Sequence, residues 1–367
     1  MEKSLHHKYG LKRVVNASGR MSILGVSAPS DSVLEAMKTG AQNYVEIEDL
    51  VDKAGGHIAN QLHSEDAVIV NSASSGIALS VAGMITEGNQ RKSLQLHQQP
   101  IPKNEIICFK GHNVQYGAPI ETMVYLGGGK LVEVGYANEG KQHHIAEAIN
   151  EHTAAILYVQ SHHAVQKNTI SIEEAWQVAQ AYNIPLIVDA AAEEDLRKYP
   201  ACSDLVIYSG SKAIEGPTSG IVAGKKAYID WVKVQLHGIG RSMKVGKEAS
   251  FGLLQALDLF FTKTDHSQTE KESLRSLEKL ADLPGVSVDI VQDEAGRAIY
   301  RGRIQIDASL AGKTAEQTVT ELKNGAIAIY TRDYGSKQGF FDIDPRPLKG
   351  NDIDVITERI QEILGGK

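Results

Sequence analysis

The segment Asn71-Ser72-Ala73-Ser74-Ser75-Gly76 follows the apolar run Ala67-Val68-Ile69-Val70. Small side chains let backbone N–H groups approach an anion, and the N-terminus of a following helix adds a positive dipole end. Taken alone, the stretch would equally be a simple N-cap and tight turn. A second signal is Asp189, directly after Pro185-Leu186-Ile187-Val188. A carboxylate at the end of a buried strand is costly unless paired, although by itself it would serve as well to cap Ala190–Asp195. The third signal is Tyr208-Ser209-Gly210-Ser211-Lys212-Ala213, which puts Lys212 among small neighbours beyond the next apolar run. A lysine in a partly desolvated site has a lowered pKa and is a usable nucleophile, whereas most lysines are solvated surface groups. The conjunction carries the weight: an anion cradle, then a strand-end carboxylate, then a strand-end amine. In that order the three suit pyridoxal 5'-phosphate (PLP), whose protonated pyridine nitrogen would pair with Asp189 and keep the ring an electron sink.

These residues need a scaffold that brings strand ends together. Short apolar runs at 67–70, 105–109, 130–134, 154–159, 186–188, 205–208 and 221–223 alternate with stretches of helical pattern, one from the turn 71–76 to about residue 86 and others at 145–151 and 172–182. Such alternation predicts an α/β fold with a mainly parallel, seven-stranded sheet and helices on both faces. In such sheets ligands collect beyond the carboxyl ends of the strands, where all three signals lie. The segment 13–29 reads as extended, helices are expected at 31–40 and 46–62, and 90–103 reads as a polar surface excursion. After about residue 265 the pattern changes to a smaller α+β domain, with helices at 269–283, 315–323 and 352–364. Strands are expected there at 286–291, 300–306, 327–330 and 340–343. The expected division is an N-terminal arm or small-domain segment over 1–45, a large PLP-binding domain over 46–265 and a small C-terminal domain over 266–367.

The chain has 367 residues and a formal net charge of −7, which argues against a nucleic-acid-binding face, since phosphate neutralisation needs clustered Lys and Arg. Two cysteines form neither a metal-ligand spacing nor a disulfide framework. No apolar run approaches the roughly 20 residues of a membrane span, and the start of the chain lacks the apolar core of a secretory signal. A cytoplasmic setting is expected. No Gly-x-Gly-x-x-Gly follows the first strand of the alternating region, which counts against a nucleotide binder.

The run Ser209-Gly210-Ser211-Lys212-Ala213-Ile214-Glu215-Gly216-Pro217-Thr218-Ser219-Gly220-Ile221-Val222-Ala223-Gly224 closely resembles the PLP-lysine motif of the bacterial selenocysteine synthase (seryl-tRNA selenium transferase) superfamily, which has the aspartate-aminotransferase fold, type I among PLP enzymes. Asn16-Ala17-Ser18-Gly19 and Arg241-Ser242-Met243-Lys244-Val245-Gly246-Lys247-Glu248 resemble two further signatures, so the likeness runs from about Asn16 onward. The chain is expected to lack the tRNA-binding extension of the tRNA enzyme, and it is acidic. Gly111-His112-Asn113-Val114-Gln115-Tyr116-Gly117-Ala118-Pro119-Ile120-Glu121-Thr122 looks most like an ammonia-lyase branch that acts on phosphorylated amino-sugar acids.

The resemblance implies that Lys212 holds PLP as a Schiff base and Asp189 pairs with the pyridinium. Ala73 and Ser74 would hold the cofactor phosphate, with Ser75 and Ser209 as further candidates, and His112 would lie near the ring face. His162 and His163, after another strand end, would touch cofactor or substrate, unless they are ordinary exposed polar residues. The substrate would be a small phosphorylated amino-sugar acid, for which Arg20, Arg241 and Arg332 are candidate anion partners; each would equally form a surface salt bridge. The implied reaction removes ammonia by α,β-elimination. A different PLP reaction (racemase, aldolase, selenium or sulfur transfer) and a non-catalytic PLP-binding relative stay open. Sites of this fold type are usually built at a subunit interface, so a homodimer or an assembly of dimers is expected. No metal is implied.

Overall fold

The computed structural model describes residues 5–161, 163–264, 267–292 and 298–365. The chain divides into two compact units, one of residues 28–262 and one of residues 1–27 with 263–367. The larger unit holds strands β2 (Asp66–Val70), β3 (Glu105–Phe109), β4 (Lys130–Val134), β5 (Thr153–Val159), β6 (Leu186–Asp189), β7 (Leu205–Ser209) and β8 (Gly220–Gly224). They form one seven-stranded sheet in the order β2-β8-β7-β6-β5-β3-β4. Strands β2 and β5 to β8 are buried along their whole length, as expected for a sheet covered on both faces. One apolar cluster, built on Ile58, Leu62, Tyr158 and Leu253, covers one face, and another, built on Ile77, Leu79, Ile106 and Val232, covers the other.

All pairings are parallel except those of β8, which runs antiparallel to both β7 and β2. The reason is local. A parallel partner needs a crossover of a dozen or more residues. Only Gly210–Ser219 separates β7 from β8, and the chain simply turns back. The first residue of β8 thereby joins the edge where the other strands end: Gly220 stands opposite Val70 on one side and Ser209 on the other.

The helix Asp31–Gln42 packs on the helix Lys247–Thr262 within this unit. The boundary therefore falls at 27/28 rather than at the expected 45/46, because that helix buries its apolar edge, Val33 included, against the large-unit core. The excursion after residue 89 contains a short helix, Gln90–Gln95, capped by the Asn89 side chain on Lys92 N.

In the smaller unit β1 (Arg13–Ala17) pairs in parallel with β11 (Ile327–Thr331), while β9 (Val286–Gln292), β10 (Tyr300–Ile306) and β12 (Phe340–Ile343) form an antiparallel sheet in the order β12-β10-β9. Part of the helix expected at 269–283 is wound more tightly. Ser267–Ser273 is α-helical and Leu274–Asp282 is a 3-10 helix. Leu274, Leu277 and Leu280 are its buried residues, and a spacing of three lines one edge of a helix with three residues per turn.

Candidate active site

Four strands of the sheet, β2, β7, β6 and β3, lead into polar groups at its carboxyl edge. At the end of β2, Ser72 caps the helix Ala73–Thr86. Its Oγ accepts from Ser75 N at 3.1 Å, Ser75 Oγ accepts from Ser72 N at 3.1 Å, and Ser75 Oγ donates to Ser72 O at 2.8 Å. Both polar groups of Ser75 are thus consumed by the capping box. The Ser75 hydroxyl is thereby engaged in the cap and buried. What the helix start offers an anion are the first-turn amides of Ala73 and Ser74, which an α-helix leaves without internal partners, and the Ser74 hydroxyl. Glycine lets this end sit on the sheet. A Cβ at Gly220 would meet Ser72 C at 2.6 Å and Ala73 N at 2.7 Å.

Two strands along, β7 ends in Ser209, whose Oγ lies 3.3 Å from Ser211 Oγ. The following turn closes through Gly216 N donating to Gly210 O at 2.8 Å and Gly210 N to Ser219 O at 2.9 Å, and it presents Lys212. Burial holds the Lys212 amine below its usual range, with the Asp189 charge opposing.

Asp189 ends β6, opposite Val159 and Ile207. Only 9% of it is exposed, and Ala191 N donates to its Oδ1 at 3.1 Å. Burial pushes its carboxyl up to about 6, against the Ala191 hydrogen bond and the Lys212 charge. Asp189 and Lys212 therefore feel each other without forming an ion pair. A buried carboxylate so poorly compensated is a site for a cation.

His112, in the turn after β3, is fully buried. Its Nδ1 accepts from Val159 N at 3.3 Å, which leaves Nε2 carrying the ring proton. That Nε2 has no hydrogen-bond partner among the described residues. The ring stands edge-on to Tyr158 at 4.5 Å and Phe109 at 5.3 Å. Burial lowers its pKa to about 4, so it is neutral at physiological pH. Tyr116, four residues on, is a site residue that was not singled out from the sequence. Its ring is half-buried and its hydroxyl buried, close to Ser74 and within the field of Asp189, and burial raises its pKa. Ser74 comes near without completing a hydrogen bond, and the hydroxyl has no partner among the described residues. The available signal was its place in the same segment as His112.

The other expected residues fare differently. His163 is exposed in the turn after β5, its N donating to Ser161 Oγ at 3.2 Å. His162 lies outside the described residues. Arg241 is exposed in a 3-10 turn of the larger unit. Arg20 and Arg332 belong to the smaller unit. Arg332 donates to Ser18 O at 3.3 Å, beside a fully buried Asp344 that Arg346 grips with two hydrogen bonds of 2.9 and 2.6 Å and Arg301 approaches at 3.7 Å. Burial lowers the pKa of Arg332, and the neighbouring Arg301 adds to the effect.

The donor set in the larger unit matches PLP group for group. First-turn amides and Ser74 suit a phosphate, Asp189 suits a pyridinium, the flat His112 suits a ring face, and Lys212 suits an aldehyde.

A seven-stranded, mainly parallel sheet with these groups at one edge is the architecture of the aspartate-aminotransferase fold. Aspartate aminotransferase from Thermus thermophilus superposes with a TM-score of 0.51 at 14% identity, over 98% of this chain and 93% of that one. Within that class the chain belongs to the L-seryl-tRNA selenium transferase family, whose model matches residues 14–297. It is 44% identical to D-glucosaminate-6-phosphate ammonia lyase of Salmonella typhimurium, over 99% of this chain and 98% of the relative. A solved structure of D-glucosaminate-6-phosphate ammonia-lyase superposes with a TM-score of 0.93 at 42% identity, covering 100% of this chain and 99% of that one. It is also 38% identical to 5'-C-glycyluridine monooxygenase-decarboxylase of a Streptomyces species, over 97% of this chain and 90% of the relative.

Proposed function

We propose that this protein is a PLP-dependent ammonia-lyase that converts D-glucosaminate 6-phosphate to 2-keto-3-deoxy-6-phosphogluconate and ammonia. The observation that carries the reading is the end-to-end likeness to the lyase, 44% in sequence and 0.93 in TM-score. The buried Asp189 and the half-buried Lys212, after adjacent strands, support it.

When bound, PLP links to an amino group and accepts the electrons left when a neighbouring C–H bond breaks. Lys212 would hold the cofactor, yield it to the substrate's 2-amino group, and then take the proton from C2 with its freed amine. Its depressed pKa keeps a larger fraction of that amine neutral, as a base must be. Asp189 would hold negative charge at the pyridine nitrogen. The amides of Ala73 and Ser74, with Ser209 as a further candidate, would hold the cofactor phosphate, and His112 would cover the ring while staying neutral. Loss of the 3-hydroxyl as water and uptake of one water at C2 balance the reaction to a net release of ammonia. His162 and His163 are candidates for the acid that assists the hydroxyl. Arg20, Arg241 and Arg332 are candidates for the substrate carboxylate and phosphate.

The same proposal includes a homodimer or an assembly of dimers, in keeping with the exposed apolar Tyr44 and Ile47. Sedimentation velocity reads it directly. The deciding experiment supplies PLP and D-glucosaminate 6-phosphate and follows ammonia and keto acid. Lys212→Ala should abolish turnover. Full activity in that variant without added amine would overturn the assignment.

A further inference from the structure

The segment after β3 carries a second buried polar atom without a hydrogen-bond partner among the described residues. Its chain is held by a bridge between Gln115 and Pro119 and by Tyr116 N donating to Ala118 O at 3.3 Å. The Tyr116 ring packs against the core on the helix side of the sheet, and its hydroxyl is buried without a partner among the described residues. A buried, unpaired phenol costs stability, and such groups are usually satisfied by something that binds. The two neighbours that act on it identify what. Ser74 acts by hydrogen-bonding proximity, whereas Asp189 acts through charge alone. The hydroxyl therefore sits nearer the start of the Ala73–Thr86 helix, where an anion belongs, than the pyridinium end. The direction of its titration keeps it protonated, so it is a donor and seeks an acceptor.

We propose that Tyr116 donates its phenolic hydrogen bond to the phosphate of the bound cofactor, alongside Ser74 and the first-turn amides of the Ala73–Thr86 helix. This rests on the reading that the site takes PLP. One segment would then grip the cofactor twice, His112 at the ring and Tyr116 at the phosphate.

The test is Tyr116→Phe, which keeps the ring and deletes only the hydroxyl. Apo-protein is titrated with PLP and, separately, with pyridoxal, which has the aldehyde and ring but no phosphate. A hydrogen bond to a charged acceptor predicts PLP binding ~10- to 100-fold weaker in the variant, with pyridoxal binding unchanged. Thermal unfolding of the apo-variant should give a Tm equal to or above that of the wild type, because the deleted group has no partner there. Unchanged PLP affinity would overturn the proposal. So would equal weakening toward PLP and pyridoxal, or a lowered apo Tm, since each would mean that the hydroxyl supports the fold. Failure of the wild-type protein to bind PLP at all would instead overturn the cofactor reading beneath it.

Discussion

Replacing Asp189 by Asn removes a buried negative charge at the end of β6 and leaves the shape. The carboxyl accepts one hydrogen bond, from Ala191 N, and an amide oxygen can accept it equally. Burial lifts the wild-type pKa from an ordinary 3.8 to about 6. A raised carboxyl pKa means that the folded state binds the proton more tightly than the unfolded state. The associated stability is fully present below the ordinary carboxylate pKa and is lost as pH rises through about 6. The Asn variant has no such titration. Its extra amide N–H adds a cost of its own, but that cost does not change with pH. The difference in unfolding free energy, wild type minus variant, should therefore fall by about 2 kcal/mol between pH 4 and pH 8, at 1.36 kcal/mol per pKa unit, because the unfolded carboxyl is already about half ionised at pH 4. Urea unfolding of the two apo-proteins across that range measures it. Adding PLP should reverse the ranking at pH 8, because the ring cation compensates the carboxylate and finds no charge in the variant. A pH-independent difference would refute the reasoning, as it would mean that Asp189 is not a desolvated charge waiting for a cation.

Other changes separate chemistry from architecture. Lys212→Ala should lose turnover by a factor of about 1000 or more, and borohydride treatment should no longer fix PLP mass to the protein; retention of the label would place the linkage elsewhere. Ser74→Ala should weaken PLP binding with little effect on the apo-protein. Ser75→Ala should do the converse, costing about 0.5–2 kcal/mol in urea unfolding through the lost cap; reversed effects would make Ser75 the phosphate ligand. Gly220→Ala pushes a Cβ against the Ser72–Ala73 backbone at 2.6–2.7 Å, so it should lower the apo Tm and weaken PLP binding together. Tyr116→Phe completes the set, with weaker PLP binding and an apo-protein no less stable.

Much of this was legible in the chain because short-range chemistry expresses it. Ile187-Val188-Asp189 and Tyr208-Ser209-Gly210-Ser211-Lys212 each end a buried apolar run in a polar residue, a pattern confined to a few neighbouring positions. The Ser72-Ala73-Ser74-Ser75 turn was readable as a helix start for the same reason. The division of labour between Ser74 and Ser75 was not, because both are serines in the first turn and only backbone geometry decides which hydroxyl folds back on Ser72. The boundary near residue 28 was hidden too, since it depends on what the helix Asp31–Gln42 packs against some 200 residues later.

By itself the sequence determined the α/β alternation, the order cradle–carboxylate–amine and the absence of a nucleotide-binding glycine motif, all of which are local in the chain. Only the tertiary structure decided that β8 turns back beside β7, so that Gly220 stands between the helix start and the end of the strand that leads into Lys212. It also decided that β3, two strands from β6, leads into the segment that brings Tyr116 within the field of Asp189. Strand order is set by which faces bury together and which crossovers close, and a linear pattern of apolar and polar residues is the same for many such orders.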